Sequence, residues 1–146
     1  MNQDPRELEV RILFSKLVST LRYKGGFRRV YWLNASVPVV RMKTAQGLDI
    51  DICVNLRLGV FNSRLLATYS KIDSRARDLG IAVKLWAKGL GIADTFHGTI
   101  SAYAYIILVI HFLQIKRILP CLQIMVPESE KLFIENCDVS FHANPT

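Results

Sequence analysis

Asp51 lies in an alternating run in which Leu48, Ile50, Ile52 and Val54 interleave with Asp49, Asp51, Cys53 and Asn55. A period of two places Asp49 and Asp51 on one face of a strand and the aliphatic side chains on the other. A carboxylate held on a rigid strand can bind a hard divalent metal or work as an acid or base. A solvated acid on an exposed sheet face leaves the same pattern. Lys84 and Lys88 are four residues apart in a stretch of helical periodicity, so their amines leave one face within a turn. Such a pair can straddle the oxygens of a triphosphate, or lie solvated on the polar side of the helix. Tyr103 opens an apolar helix and offers a ring for stacking on a base or for packing at a helix end. His97 and His111 are read as structural or exposed, and Gly25-Gly26 lacks the spaced glycines and following Lys of a phosphate loop. Cys53, Cys121 and Cys137 form no Cys-x-x-Cys pair, which argues against a zinc site or disulfide framework and for a reducing, intracellular compartment.

The elements that position these residues follow from periodicity. Pro5 followed by Val10, Leu13, Phe14, Leu17, Val18 and Leu21 predicts an amphipathic helix that Gly25 and Gly26 end. Extended segments are expected at Arg29 to Leu33, Val37 to Thr44 and Leu48 to Asn55, with Pro38 at an edge or bulge. Asn62 or Ser63 is the expected N-cap of a helix through Leu65, Leu66 and Tyr69. Asp73 or Ser74 caps a second, which runs to about Lys88. Glycines 89, 91 and 98 punctuate a loop, and Ser101 opens the apolar helix to about Gln114. Beyond Pro120 the pattern predicts one short helix. Helix, strands, then helices give a mixed α/β, or α+β, class.

Composition bounds the partners. A chain of 146 residues that is 51% hydrophobic and 21% charged can bury a modest core, which excludes a disordered chain. Nineteen Lys and Arg against 12 Asp and Glu give a net charge of +7, which favours polyanions such as nucleic acid or nucleotide phosphates. The longest apolar stretch, Ala102 to Leu113, is shorter than the roughly 18 to 20 residues of a membrane span, so no membrane partner is expected. No secretory signal or transit peptide is visible at the start.

The order and spacing of these signals resemble one family. Val37-Pro38-Val39-Val40-Arg41 resembles a Val-Pro-Ile-Val-Lys strand, and Asp51-Ile52-Cys53-Val54-Asn55 an Asp-Ile-Ser-x-Asn strand. Asn62-Ser63, Val83-Lys84-Leu85-Trp86-Ala87-Lys88 and Gly98-Thr99-Ile100-Ser101-Ala102-Tyr103 are similar to Asn-Thr, Val-Lys-x-Trp-Ala-Lys and Gly-Thr-Leu-Ser-Ser-Tyr motifs. These are the motifs of the terminal uridylyltransferases and poly(A) polymerases, template-independent RNA nucleotidyltransferases of the polymerase-beta-like superfamily. The likeness covers residues 36 to 114 well and the flanks loosely. It implies that residues 1–58 end a nucleotidyltransferase palm sheet and that residues 59–146 begin a helical central domain.

The resemblance also implies roles. Asp51 would be the third catalytic aspartate, binding Mg²⁺ or Mn²⁺ and activating the 3′-hydroxyl of an RNA primer. Asn62 and Ser63 would contact the ribose, Lys84 and Lys88 the triphosphate, and Tyr103 the base. The implied activity is uridylyl or adenylyl transfer from UTP or ATP to an RNA 3′ end, in the cytoplasm or a mitochondrion. Departures are Ser63 for Thr, Leu56 for a frequent Asn, and Ala102 for a second Ser that contacts the triphosphate. The family's Gly-Ser loop and Asp-x-Asp pair have no counterpart before Asp51. Asp49-Ile50-Asp51 copies the spacing of the pair, but without the loop before it the match is rejected. The expectation is therefore an internal piece of a longer enzyme whose missing palm segment lies in cis. The alternative is a non-catalytic RNA-binding or interaction protein.

Overall fold

The computed structural model describes residues 5–34 and 37–143 and divides the chain into two compact units, Met1–Leu56 and Arg57–Thr146. The first begins with helix α1, Pro5–Lys24. Proline suits its first turn, where an amide proton would have no partner. Gly25 and Gly26, at φ 70° and 83°, turn the chain out of it. Strands β1 (Phe27–Leu33), β2 (Val39–Thr44) and β3 (Asp49–Cys53) form an antiparallel meander in that order. Pro38 stands immediately before the central strand, where it removes no ladder hydrogen bond.

Register decides which groups face the core. Val40 pairs with Ile52 and Met42 with Ile50 on the inner face, while Arg41 pairs with Asp51 and Lys43 with Asp49 on the outer. Phe14, Val30, Val40 and Met42 are the buried residues of this core, and the Phe14 and Trp32 rings stack at 5.7 Å. A bulge interrupts β1 between Arg28 and Tyr31, with Arg29 at φ 53°. There the Arg22 guanidinium of α1 donates two hydrogen bonds, 2.9 and 2.7 Å, to the Val30 carbonyl and ties the helix to the sheet.

The second unit contains α2 (Arg57–Ile72), α3 (Ser74–Gly89) and α4 (Ala102–Ile115). Asp73 caps α3, accepting from the Arg75 amide at 2.9 Å. The Arg75 guanidinium joins that amide in holding the Asp73 carboxyl down to about 2. Ser101 caps α4 through the Ala104 amide at 3.1 Å. Helix α3 ends in a Schellman motif: Gly91 is at φ 70°, and the Ile92 and Gly91 amides donate to the carbonyls of Ala87 and Lys88. Tyr69, Ala76, Val109, Ile110, Leu113, Leu119 and Leu122 form the buried core.

Two expectations are corrected. Helix α2 starts at Arg57, upstream of Asn62 and Ser63, so neither is an N-cap. Leu58, Phe61 and Leu65 carry the apolar face back at helical spacing, and their packing outweighs the roughly 1 kcal/mol that Gly59 costs inside a helix. The tail holds a 3₁₀ turn at Glu128–Glu130 and also a hairpin of β4 (Phe133–Ile134) and β5 (Cys137–Asp138). Its turn residues Glu135 and Asn136 both have positive φ, 52° and 63°, as a type I′ turn demands. The sequence carries no glycine there, and strands of two residues are too short for a period of two to register.

Candidate functional site

Asp51 stands on the outer face of β3, as the alternation requires. Its two carboxylate oxygens accept from Arg41 Nε and Nη2, each at 2.8 Å, in a bidentate pair across the strands. The Arg41 guanidinium holds the Asp51 carboxyl below the usual carboxylate range, and Asp51 in turn raises the Arg41 guanidinium. Two residues earlier on the same face, Asp49 accepts from Lys43 Nζ at 2.9 Å. Both acids of this face are thus neutralised by the neighbouring strand.

In the helical unit, Asn62 of α2 and Tyr103 of α4 line one pocket of about 420 Å³. Leu58, Phe61, Leu65 and Ile107 supply its apolar helical wall, and Gln123 and residues 137 to 141 close it from the tail. A mostly apolar cleft of this size with a few convergent polar groups suits a small planar ligand. Tyr103 is 38% exposed, and partial burial pushes its phenol up, so it presents a neutral ring.

Ser63 adjoins Asn62, but its hydroxyl donates to the Gly59 carbonyl at 2.8 Å, leaving only oxygen lone pairs for another partner. Lys84 is half-buried and Lys88 exposed on α3. One helical turn separates them, about 6 Å along the axis. Among the described residues neither enters an ion pair, so both cations are available to an anion.

Sequence reasoning missed the tail's share of the pocket. Gln123, Asp138, Ser140 and Phe141 carry no periodic or motif signal. The Glu-Asn pair at 135–136 is the only hint of the turn that folds residues 137 to 141 back onto α2 and α4. Among the described residues no three His, Cys, Asp or Glu side chains gather as a metal cluster, and no helix is long and apolar enough to cross a membrane.

Similarity to known proteins gives this arrangement its context. Residues 2–71 match the family model described as "Poly(A) RNA polymerase, mitochondrial-like, central palm domain". The chain is 37% identical over 132 residues to Poly(A) RNA polymerase GLD2-A of Xenopus laevis, covering 88% of this chain and 25% of that protein. It is 34% identical over 126 residues to human Terminal uridylyltransferase 4, covering 84% of this chain and 8% of the relative. The structure of the Cid1 poly(U) polymerase bound to Mg and 3′-dATP superposes with a TM-score of 0.74 at 27% identity, covering 97% of this chain and 44% of that one. The chain therefore spans less than half the length of each of these proteins. Helices with small antiparallel sheets, as in these neighbours, define an α+β nucleotidyltransferase fold. The chain belongs to the terminal uridylyltransferase and poly(A) polymerase family.

Proposed function

We propose that this chain carries the nucleotide-holding surface and one catalytic carboxylate of an RNA 3′-end nucleotidyltransferase that adds uridylates or adenylates from UTP or ATP. One observation carries the reading: Asn62 and Tyr103, from motifs on two different helices, line a single pocket large enough to admit a nucleobase. In this reading residues 1–58 are the end of the palm and residues 59–146 the start of the helical central domain.

The chemistry is attack of the RNA 3′-oxygen on the α-phosphorus of the nucleotide, forming one P–O bond and breaking the bond to the departing pyrophosphate. Tyr103 stacks on the base and Asn62 bonds the ribose, with the Ser63 oxygen accepting from a ribose hydroxyl. Lys84 and Lys88 place fixed positive charge on the triphosphate, where negative charge builds during transfer. Asp51 would hold a divalent ion, Mg²⁺ or Mn²⁺, and would help take the proton of the 3′-hydroxyl. Such an ion, when bound, polarises the phosphate and lowers the hydroxyl's pKa. Asp51 fits as one ligand of a two-ion centre, and the described residues supply no cluster for the rest. The remaining carboxylates are assigned to a Gly-Ser and Asp-x-Asp segment in cis. Arg41 occupies both Asp51 oxygens, so a divalent ion would have to displace or share that pair.

Equilibrium binding of UTP and ATP to the purified chain tests the nucleotide surface. Binding that weakens at least tenfold in Tyr103→Ala is expected; a chain that binds neither nucleotide overturns the reading. With the Gly-Ser and Asp-x-Asp segment joined in frame, incorporation into labelled RNA that survives Asp51→Ala would exclude the metal role. The second reading, a non-catalytic RNA-binding protein, is favoured by the Arg41 clamp on Asp51 and by Ala102 in place of the family's serine. Nucleotide or RNA binding without incorporation in that same joined protein would select it.

A further inference from the structure

The tail closes the pocket with a side chain whose hydrogen-bonding character is dictated by its surroundings. The Pro120 carbonyl can only accept, so the Gln114 amide atom 3.2 Å from it is Nε2. That nitrogen also donates to the Tyr69 hydroxyl oxygen at 2.9 Å, and the Leu122 backbone amide donates to the same oxygen at 3.2 Å. With two donors on its oxygen, the phenol directs its single proton at the remaining neighbour, the Gln123 amide, 2.9 Å away. The Gln123 atom there must be Oε1, an assignment that follows from the Pro120 carbonyl on Gln114 and the Leu122 amide on the phenol rather than from the interchangeable look of an amide. Cys121 Sγ, 3.7 Å from the same oxygen, adds a second weak donor. Tyr69 is 1% exposed and burial raises its pKa, so the phenol keeps the proton the relay needs.

Gln123 therefore has its acceptor committed to the interior, while Nε2, with two N–H groups, has no protein acceptor among the described residues. Gln123 belongs to the wall of the pocket that Asn62 and Tyr103 share. We infer that Gln123 is a specificity-determining residue: a fixed donor that selects a nucleobase presenting a carbonyl oxygen over one presenting an amino group, uracil over cytosine. The inference rests on the reading that Asn62 and Tyr103 hold a nucleotide. Uracil and cytosine differ at the ring 4-position, carbonyl against amino. An N–H donor whose own amide oxygen is occupied bonds the first and faces a second donor in the other.

Binding of UTP and of CTP to the full chain tests this, with Gln123→Leu and Gln123→Glu beside the parent and Tyr103→Ala as the nucleotide control. The parent is expected to bind UTP about 5- to 10-fold more tightly than CTP, as one well-made hydrogen bond allows. Leu, which has no donor, brings the ratio to near one. Glu keeps an oxygen for Tyr69 and places an acceptor where the N–H stood, so CTP gains on UTP. Gln123→Leu leaves the buried Tyr69 hydroxyl without its acceptor, so it melts below the parent while its far-UV circular dichroism is unchanged, whereas Gln123→Glu, which keeps that acceptor, melts close to the parent. A UTP to CTP ratio unchanged in both variants, with Tyr103→Ala still weakening both nucleotides, overturns the role of Gln123 and leaves the nucleotide pocket standing. A parent that prefers CTP overturns it as well. Absence of binding by either nucleotide, or binding indifferent to Tyr103→Ala, removes the pocket reading and this inference with it.

Discussion

The two units handle their polar groups in opposite ways. On the sheet of the first, each carboxylate of β3 faces a cation of β2 in register, Asp51 with Arg41 and Asp49 with Lys43, so charge is cancelled locally on an open face. In the helical unit a relay of uncharged side chains runs from half-buried Gln114 through the buried Tyr69 to exposed Gln123 and leaves the Gln123 N–H groups at a pocket. The difference teaches where stability and selectivity are stored. Exposed ion pairs contribute little to folding, because water screens them and the side chains lose freedom in forming them. A satisfied buried relay is costly to break, because each lost partner strands a group that has already given up water.

The contrast can be broken or sharpened by substitution. The largest effect is expected from Phe14→Ala in the core of the sheet unit, where loss of the ring and its stack on Trp32 costs about 3 to 5 kcal/mol by denaturant unfolding. Tyr69→Phe keeps the ring but strands the Leu122 amide and a Gln114 N–H, at about 1 to 3 kcal/mol on the same measurement. If that variant unfolds like the parent, the relay is ornamental and the contrast between the units fails. Lys84→Ala and Lys88→Ala should each weaken triphosphate binding, with the loss shrinking as salt rises from low to physiological ionic strength. Equal affinity in both variants would return them to solvated surface lysines.

Acid sharpens the comparison further. The Asp73 cap has a folded pKa held down to about 2 from an ordinary 3.8, so it favours the folded state above pH 3.8. That contribution is lost as the pH falls toward 2, and a melting series should show Asp73→Asn closing on the parent over this window. The smallest effect is expected at the bidentate pair itself. Arg41→Met should change stability by no more than about 1 kcal/mol, since both partners lie on an exposed face. A larger loss would mean that the sheet relies on its charges as the helical unit relies on its relay.

Much of the fold was legible because local rules decide it. The alternation around Asp51 fixed its face, Asp73 and Ser101 announced their caps, and Gly25-Gly26 ended α1. Asn62 and Ser63 have the chemistry of caps, but Leu58 and Phe61 pack ahead of them and start α2 at Arg57, a contact that local rules do not register. The motif residues of the candidate site were readable by resemblance, whereas the part supplied by the tail was not, since Gln123 and residues 137 to 141 reach the pocket through contacts remote in sequence.

By itself, then, the sequence determined the elements, the faces on which Asp51, Lys84, Lys88 and Tyr103 lie, and the family to which their spacing points. Only the tertiary structure decided which partners those faces meet: Arg41 across the sheet from Asp51, and the Tyr69 hydroxyl turning the Gln123 amide. The reason is physical. Period and propensity act between neighbours along the chain, while strand register and a buried hydrogen-bond relay are set by packing between segments far apart in it.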